Sequence, residues 1–378
     1  VLNPEPHCVE LVYAGQNVAV TETATSFENE RQKVEISLAK SIEQNERFDI
    51  GNNGEMKNIS FGLFAAEEIV SASGTSIPAN GLIEIVSLNE DGTATIKTDL
   101  PYGRYYVQEI ATDSHYKLSD AKYPIIFEYV GQDTAVVKIA VNDGKAIKND
   151  LIYGSVSGKK VDEDGNALGG AMIGLFRTDD GEFTKENALM TTTSAEDGSF
   201  SFENIPCGTW YVREIEQPTG FVLDDTIYPV TIGTDGQVVE IEIVNEYGRG
   251  NIHLTKVDSE YPDNKLTGAV FEVYKDSNNN SKLDEGDELL GTLTEKEIGE
   301  YGMNDLFYGR YFIKETKAPD GFVLDTDVYE VVIDTDGKTY DVENKAGVGF
   351  INEVMRGNLK IVKTSSDGKV KGFAFRIT

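Results

Sequence analysis

Across 378 residues, 65 acidic side chains stand against 34 basic ones, for a formal charge of −31. That field repels nucleic acid and anionic lipid, and no basic groove with interleaved aromatics accompanies it, so nucleic-acid binding is not expected. No apolar run approaches the ~20 residues that a membrane-spanning helix requires, so no membrane insertion is expected within this segment.

The length suits two to four domains, each large enough to bury a core. The bulk comes from Tyr, Phe, Val, Ile and Thr, which favour strands. Two cysteines, Cys8 in the apparent strand HCVELVY and Cys207 in the turn of IPCGTWYV, make no disulfide framework and read as unpaired thiols. Any covalent stabilisation must come from elsewhere.

Taken in order, residues 1–33 read as the closing strands of a module, because VLNPEPHCVEL matches VLDDTIYPVTI and VLDTDVYEVVI further on. Three whole units follow, at 34–153, 154–249 and 250–356, and residues 357–378 resemble only the opening of another. Each unit runs from a Lys strand through ISFGLF, AMIGLF or AVFEVY to LPYGRYYVQEI, IPCGTWYVREI or LFYGRYFIKET, and then to an Asn strand. The first carries an insertion over Ile42–Lys57. DG, NG and PxG turns separate the strands, and TKENALM is the single candidate for a helical turn or two. The fold class is all-β, with tandem β-sandwich modules strung end to end.

The junctions carry the strongest signal. FENERQKVEISLAK, IKNDLIYGSVSGKK, IVNEYGRGNIHLTK and FINEVMRGNLKIVK align without gaps, and each Lys follows its Asn by eleven residues: Asn29/Lys40, Asn149/Lys160, Asn245/Lys256 and Asn352/Lys363. Strand side chains alternate between faces. Lys40 continues the apolar face of Val34, Ile36 and Leu38, and Lys256 that of Ile252 and Leu254. Lys160 follows Val156 and Gly158 in the same way. Glu109, Glu214 and Glu315 share parity with Tyr105 and Val107, Trp210 and Val212, and Tyr311 and Ile313. Asn149, Asn245 and Asn352 follow Ile147, Ile243 and Phe350. Every whole unit therefore points a Lys, a Glu and an Asn into its core.

A lone buried charge costs several kcal/mol, so such groups must pair, neutralise or react. One reading is a buried Lys–Glu ion pair beside a hydrogen-bonded Asn. The other is chemistry. Desolvation lowers a lysine pKa and raises a glutamate pKa, which leaves a neutral, nucleophilic amine. A protonated Glu would then hydrogen-bond the Asn carbonyl and pass protons to departing ammonia, giving a Lys–Asn amide once per domain.

These residues resemble the collagen-adhesin B-type repeats, also called SpaA-like or prealbumin-like domains, of Gram-positive surface proteins and pilins. The marks are GKKVDEDGNALGGAMIGLF, TTTSAEDGSFSFENIPCGTWYVREIEQPTGFVLDD and IVNE in the second unit, and LTKVDS, YGRYFIKETKAPDGFVLDT and FINE in the third. The resemblance implies Ig-like, prealbumin-like sandwiches and autocatalytic isopeptide bonds Lys160–Asn245, promoted by Glu214, and Lys256–Asn352, promoted by Glu315. The first unit departs from the pattern, since Glu109 precedes IATDSHYKLSD rather than a Pro-x-Gly-Phe turn. Its triad is Lys40–Glu109–Asn149. Lys159 and Asn344 are rivals to Lys160 and Asn352, and the register prefers the latter pair. No bond is expected at Asn29 or Lys363, whose units lack a glutamate here.

The third unit also carries DSNNNSKLDEGDE. Against an EF-hand loop, Asp276, Asn278, Asn280, Asp284 and Asp287 take oxygen-ligand positions and Lys282 offers its backbone carbonyl, with calcium the matching cation. Ser281 stands where the turn glycine belongs, and the competing reading is a solvated acidic hairpin.

No Ser/His/Asp or Cys/His set is evident, so no turnover enzyme is expected and no cofactor is required. The expected role is an extracellular stalk of a cell-wall-anchored adhesin or pilus-like protein, partnered chiefly by neighbouring modules of the same longer chain. Two alternatives stand beside it. One is a module that binds a host or matrix protein or glycan, with the 42–57 insertion as the place to look. The other is a set of spacers for an extracellular enzyme.

Overall fold

The computed structural model describes residues 6, 8–10, 13, 15–17, 30–70, 74–372 and 374–377. Strands dominate, and they gather into three two-sheet sandwiches. In the first, Lys33–Ile42 pairs antiparallel with Thr93–Ile96 and parallel with both Val136–Ala140 and Ile147–Asn149. The facing sheet runs Leu82–Ser87, Ser60–Ala65, Gly103–Ala111, Lys122–Phe127. Val34, Ile36 and Leu38 meet Phe61, Leu63, Val107 and Phe127 between the sheets, as their two-residue period requires.

The second sandwich sets Tyr153–Asp162 between Ser199–Pro206 and Val238–Asn245, against Met190–Thr193, Met172–Phe176, Gly208–Glu216 and Tyr228–Ile232. The third sets Arg249–Asp258 between Glu300–Phe307 and the parallel strands Thr339–Asp341 and Phe350–Asn352. Its second sheet is Glu288–Thr292, Val270–Lys275, Gly309–Lys317, Val328–Ile333. The chain condenses into two compact units: one holds the first sandwich and most of the second, and the other holds the third with 162–166 and 217–224.

First and last strands of a module thus lie side by side and run the same way. A one-residue slip would turn every apolar side chain to the wrong face, so the alternating pattern holds this register.

Two expectations change, one holds, and the insertion gains a packing role. The inner part of the 42–57 insertion packs into the neighbouring sandwich. Phe48 and Ile50 are buried in the core of the second sandwich, and Phe48 meets Trp210 edge-on at 4.7 Å. Arg177 Nη1 donates to the Phe48 carbonyl at 2.7 Å, and Glu55 closes the loop by accepting from Gly51 and Asn53 N–H. Phe48 and Ile50, in a largely polar insertion, are better satisfied under a neighbour than in water. Residues 8–10 carry no strand, so Cys8 sits outside one; it is an exposed free thiol and Cys207 a buried one. Among the described residues of 357–378 none is in a strand, because the alternating Leu359 and Ile361 have no neighbouring strand to pair with. Within TKENALM a single turn forms, with Thr184 O accepting from Asn187 and Ala188 N–H.

Candidate functional site

Each sandwich brings its Lys, Glu and Asn into a dry core. Lys40, Lys160, Lys256, Glu109, Glu214, Glu315, Asn149, Asn245 and Asn352 are all buried. Parallel pairing places the partners: Lys40 stands opposite Ile147 and Lys256 opposite Phe350, so Asn149 and Asn352 lie two residues further along on the same face. The glutamate reaches across from the facing sheet. Glu109, Glu214 and Glu315 pair with Phe61, Ile173 and Phe271, and in all three modules the register shifts beside that pair. A bulge of this kind re-aims a side chain.

Lys Nζ to Glu Oε1 distances are 3.5 Å in the first module, 3.9 Å in the second and 3.4 Å in the third. Lys160 also donates to the Ile243 carbonyl at 3.2 Å. These are ion contacts longer than an ordinary hydrogen bond. Among the described residues, Lys40 Nζ, Lys256 Nζ, Glu315 Oε1, Asn149 Oδ1 and Asn352 Oδ1 are buried without a hydrogen-bond partner. Burial pushes the Lys256 ammonium down to about 8, against the opposing pull of Glu315. Lys40 is lowered for the same reason, with Glu109 opposing. Phe350 and Phe271 wall the Lys256 amine, their ring centres 4.7 and 5.9 Å from Nζ.

The asparagine is oriented by acceptors. Asn352 Nδ2 donates to Glu315 Oε2 at 2.9 Å and to Val323 O at 2.8 Å. Asn149 Nδ2 donates to Glu109 Oε1 at 2.8 Å and to Thr112 Oγ1 at 2.9 Å. Asn245 Nδ2 donates to Val222 O. A flipped amide would set its oxygen against acceptors. In the first and third modules the glutamate therefore addresses the amide nitrogen, not the carbonyl as anticipated from the residue types. Its other anchor is a backbone N–H: Ser119 donates to Glu109 Oε2 at 3.0 Å, and Asp325 to Glu315 Oε2 at 2.8 Å.

A glycine fixes each lysine. Gly92, Gly198 and Gly299 accept from Lys40, Lys160 and Lys256 N–H at 2.8, 2.7 and 2.7 Å. All three have positive φ, and a Cβ on them would lie 2.5, 2.3 and 2.9 Å from the same lysines' carbonyl oxygens. Only the DG turns at Gly92 and Gly198 hinted at this, and Gly299, after Ile298, carried no such mark. A close approach between strands distant in sequence leaves no local signal, and neither does the bulge beside the glutamate.

The rivals separate. Lys159 is exposed while Lys160 is fully buried. Asn344 is engaged with Asp325 Oδ2 and with the backbone of Ile351. Lys363 is exposed outside any strand, and Asn29 lies outside the described residues.

The acidic segment forms the loop of the hairpin between Val270–Lys275 and Glu288–Thr292. Asp276 is buried and accepts from Asn280 and Ser281 N–H. Asn278 and Asn280 both turn their amides to Asp284, Asp287 accepts from Ser277 and Asp284 N–H, and Lys282 N–H donates to Asn280 Oδ1. Among the described residues no three His, Cys, Asp or Glu side chains gather in a metal-holding group.

Repeated two-sheet modules with the same buried triad define a class, and comparison with known proteins gives it a name. The model of the SpaA prealbumin-like fold domain matches residues 42–145, 154–247 and 250–346, and the chain belongs to that family. It is 25% identical over 352 residues to colossin-A of Dictyostelium discoideum, covering 85% of this chain and 3% of that protein. Among solved structures it is similar to the Bacillus anthracis TIE protein, with TM-score 0.53, 21% identity, and coverage of 85% of this chain and 51% of that one. BcpA, the major pilin subunit of Bacillus cereus, aligns at TM-score 0.39 and 19% identity over 86% of this chain and all of that one. The chain thus spans a small part of colossin-A and about half of the TIE chain.

Proposed function

We propose that the chain is a load-bearing segment of an extracellular, cell-wall-anchored surface protein, adhesin or pilus-like, whose modules cross-link themselves through Lys40–Asn149, Lys160–Asn245 and Lys256–Asn352. The observation that carries this reading is the recurrence, three times, of an amine, a carboxyl group and a carboxamide sealed in one core. In each case the amine is drawn towards its neutral form by burial or held against the glutamate. The neutral amine attacks the asparagine Cγ, and the glutamate carries the amine proton to the departing nitrogen that it already faces. One ammonia leaves, and no turnover follows.

Parallel, adjacent first and last strands suit a mechanical role, because a bond between them carries tension past the sandwich. The inner part of the insertion covers the neighbouring module, and Asn52–Gly54 at its outer end stay exposed. Intact mass tests the reading. Each bond removes one ammonia from the sequence mass, and fragmentation assigns the loss to a Lys/Asn peptide pair. A mass equal to the uncorrected sequence would leave three buried ion pairs and no cross-link.

A further inference from the structure

The closing strand of the second sandwich runs unbroken over Val238–Asn245, whereas that of the third is split into Thr339–Asp341 and Phe350–Asn352. Asn352 therefore rides on three residues of strand, a weak anchor for a group that must meet Lys256. Asn344 lies in the gap and clamps that short strand at two points. Its Oδ1 accepts from Ile351 N–H at 2.7 Å, and its Nδ2 donates to Ile351 O at 2.9 Å. The same Nδ2 donates to Asp325 Oδ2 at 2.9 Å. Asp325 is held in turn by Tyr329 Oη at 2.7 Å and by Asp327 N–H at 3.0 Å, and its own N–H is the one that anchors Glu315.

Two lines of hydrogen bonds thus leave one side chain. The first runs through Ile351 to its neighbour Asn352, and the second runs through Asp325 to Glu315. We infer that Asn344 is a positioning residue for the Lys256–Asn352 cross-link, holding the electrophile and the proton carrier in one frame across a broken strand. The inference rests on the cross-linking reading above. The step it serves forms the Lys256 Nζ–Asn352 Cγ bond and breaks Cγ–Nδ2, and the amine proton leaves on that nitrogen as ammonia. Asn344 touches none of the reacting atoms. The first module's closing strand is likewise split, into Val136–Ala140 and Ile147–Asn149, and there Thr112 Oγ1 takes the place that Val323 O holds in the third. The second needs no clamp, because its strand is whole.

The test follows ammonia loss from the third module by peptide mapping during cell-free synthesis of the full chain. Asn344→Ala is expected to slow that loss roughly tenfold or more, as displacement of a reacting group does. Asn344→Asp, which keeps an acceptor for Ile351 N–H and loses both donations, should slow it as well. Melting of the same substitutions in a Glu315→Gln background, where no bond forms, separates stability from positioning. A purely structural Asn344 would lower that melting temperature and leave the rate of ammonia loss unchanged. An unchanged rate in N344A and N344D overturns the inference. Absence of ammonia loss from the third module of the parent chain would instead overturn the cross-linking reading itself.

Discussion

Lys256 concentrates the chemistry at the scale of single residues. Its pKa falls from 10.5 to about 8, so between those values the unfolded chain holds a proton that the folded chain has released. The penalty for burying the ammonium is complete below pH 8 and fades as pH rises towards 10.5. In Asn352→Ala, where the amine survives, stability relative to N352A/K256M should rise over that window by about 3 kcal/mol, read from denaturant midpoints at each pH. The rate of bond formation should follow the same window. Attack needs the neutral amine, so ammonia loss from the third module should quicken as pH climbs through 8. A rate that falls there would count against the free amine as the nucleophile. Glu214→Gln and Glu315→Gln should each restore one ammonia to the mass while the fold persists. Parity made all nine triad residues legible, because a period of two admits one alternative face and the apolar neighbours had already taken the core. The direction of the asparagine amide was not legible, since it depends on Val222, Val323 and Thr112, whose approach no local pattern announces.

Among the strands and loops, the turn glycines and the insertion matter most. Gly198→Ala forces a left-handed backbone and sets a methyl against Lys160 O. It should cost the second sandwich about 1–3 kcal/mol and delay its ammonia loss, both measurable on the full chain. Phe48→Ala empties a site in the second sandwich from a loop of the first. It should destabilise the second by about 3 kcal/mol, with hydrogen exchange quickening in Tyr153–Asp162 and Gly208–Glu216. The insertion was visible as extra length, but only its burial against Trp210 tells what it does. For the hairpin at 276–287 we propose calcium. The support is the loop's supply of carboxylate and amide oxygens, which calcium would have to draw away from the N–H groups that now bond Asp284 and Asp287. Chelation should lower the melting temperature of the third module alone, and a calorimetric trace unmoved by millimolar calcium would leave a self-bonded hairpin.

For the whole chain, three repeats and their sandwich class were readable from strand order and turn spacing, since tandem modules print the same pattern repeatedly. Closing a loop of roughly 85 residues stabilises by about 4–5 kcal/mol in the chain-entropy treatment. Glu214→Gln should therefore melt the second sandwich earlier in calorimetry and open it to protease, with the third unaffected.

The parallel adjacency of opening and closing strands also decides which part of the chain is ever drawn taut. With the bonds in place, a pull entering at Lys33 runs up one strand to Lys40 and crosses directly to Asn149. It then follows the chain to Lys160, crosses to Asn245, follows to Lys256 and crosses to Asn352. The backbone between crossings is the eleven-residue spacing first met as a sequence repeat, about 36–40 Å when straight. Everything else in each module hangs from that line as a closed side ring. The molecule is then a tether of short fixed links, and its reach under tension is set by the spacing of Asn to Lys rather than by the length of its polypeptide.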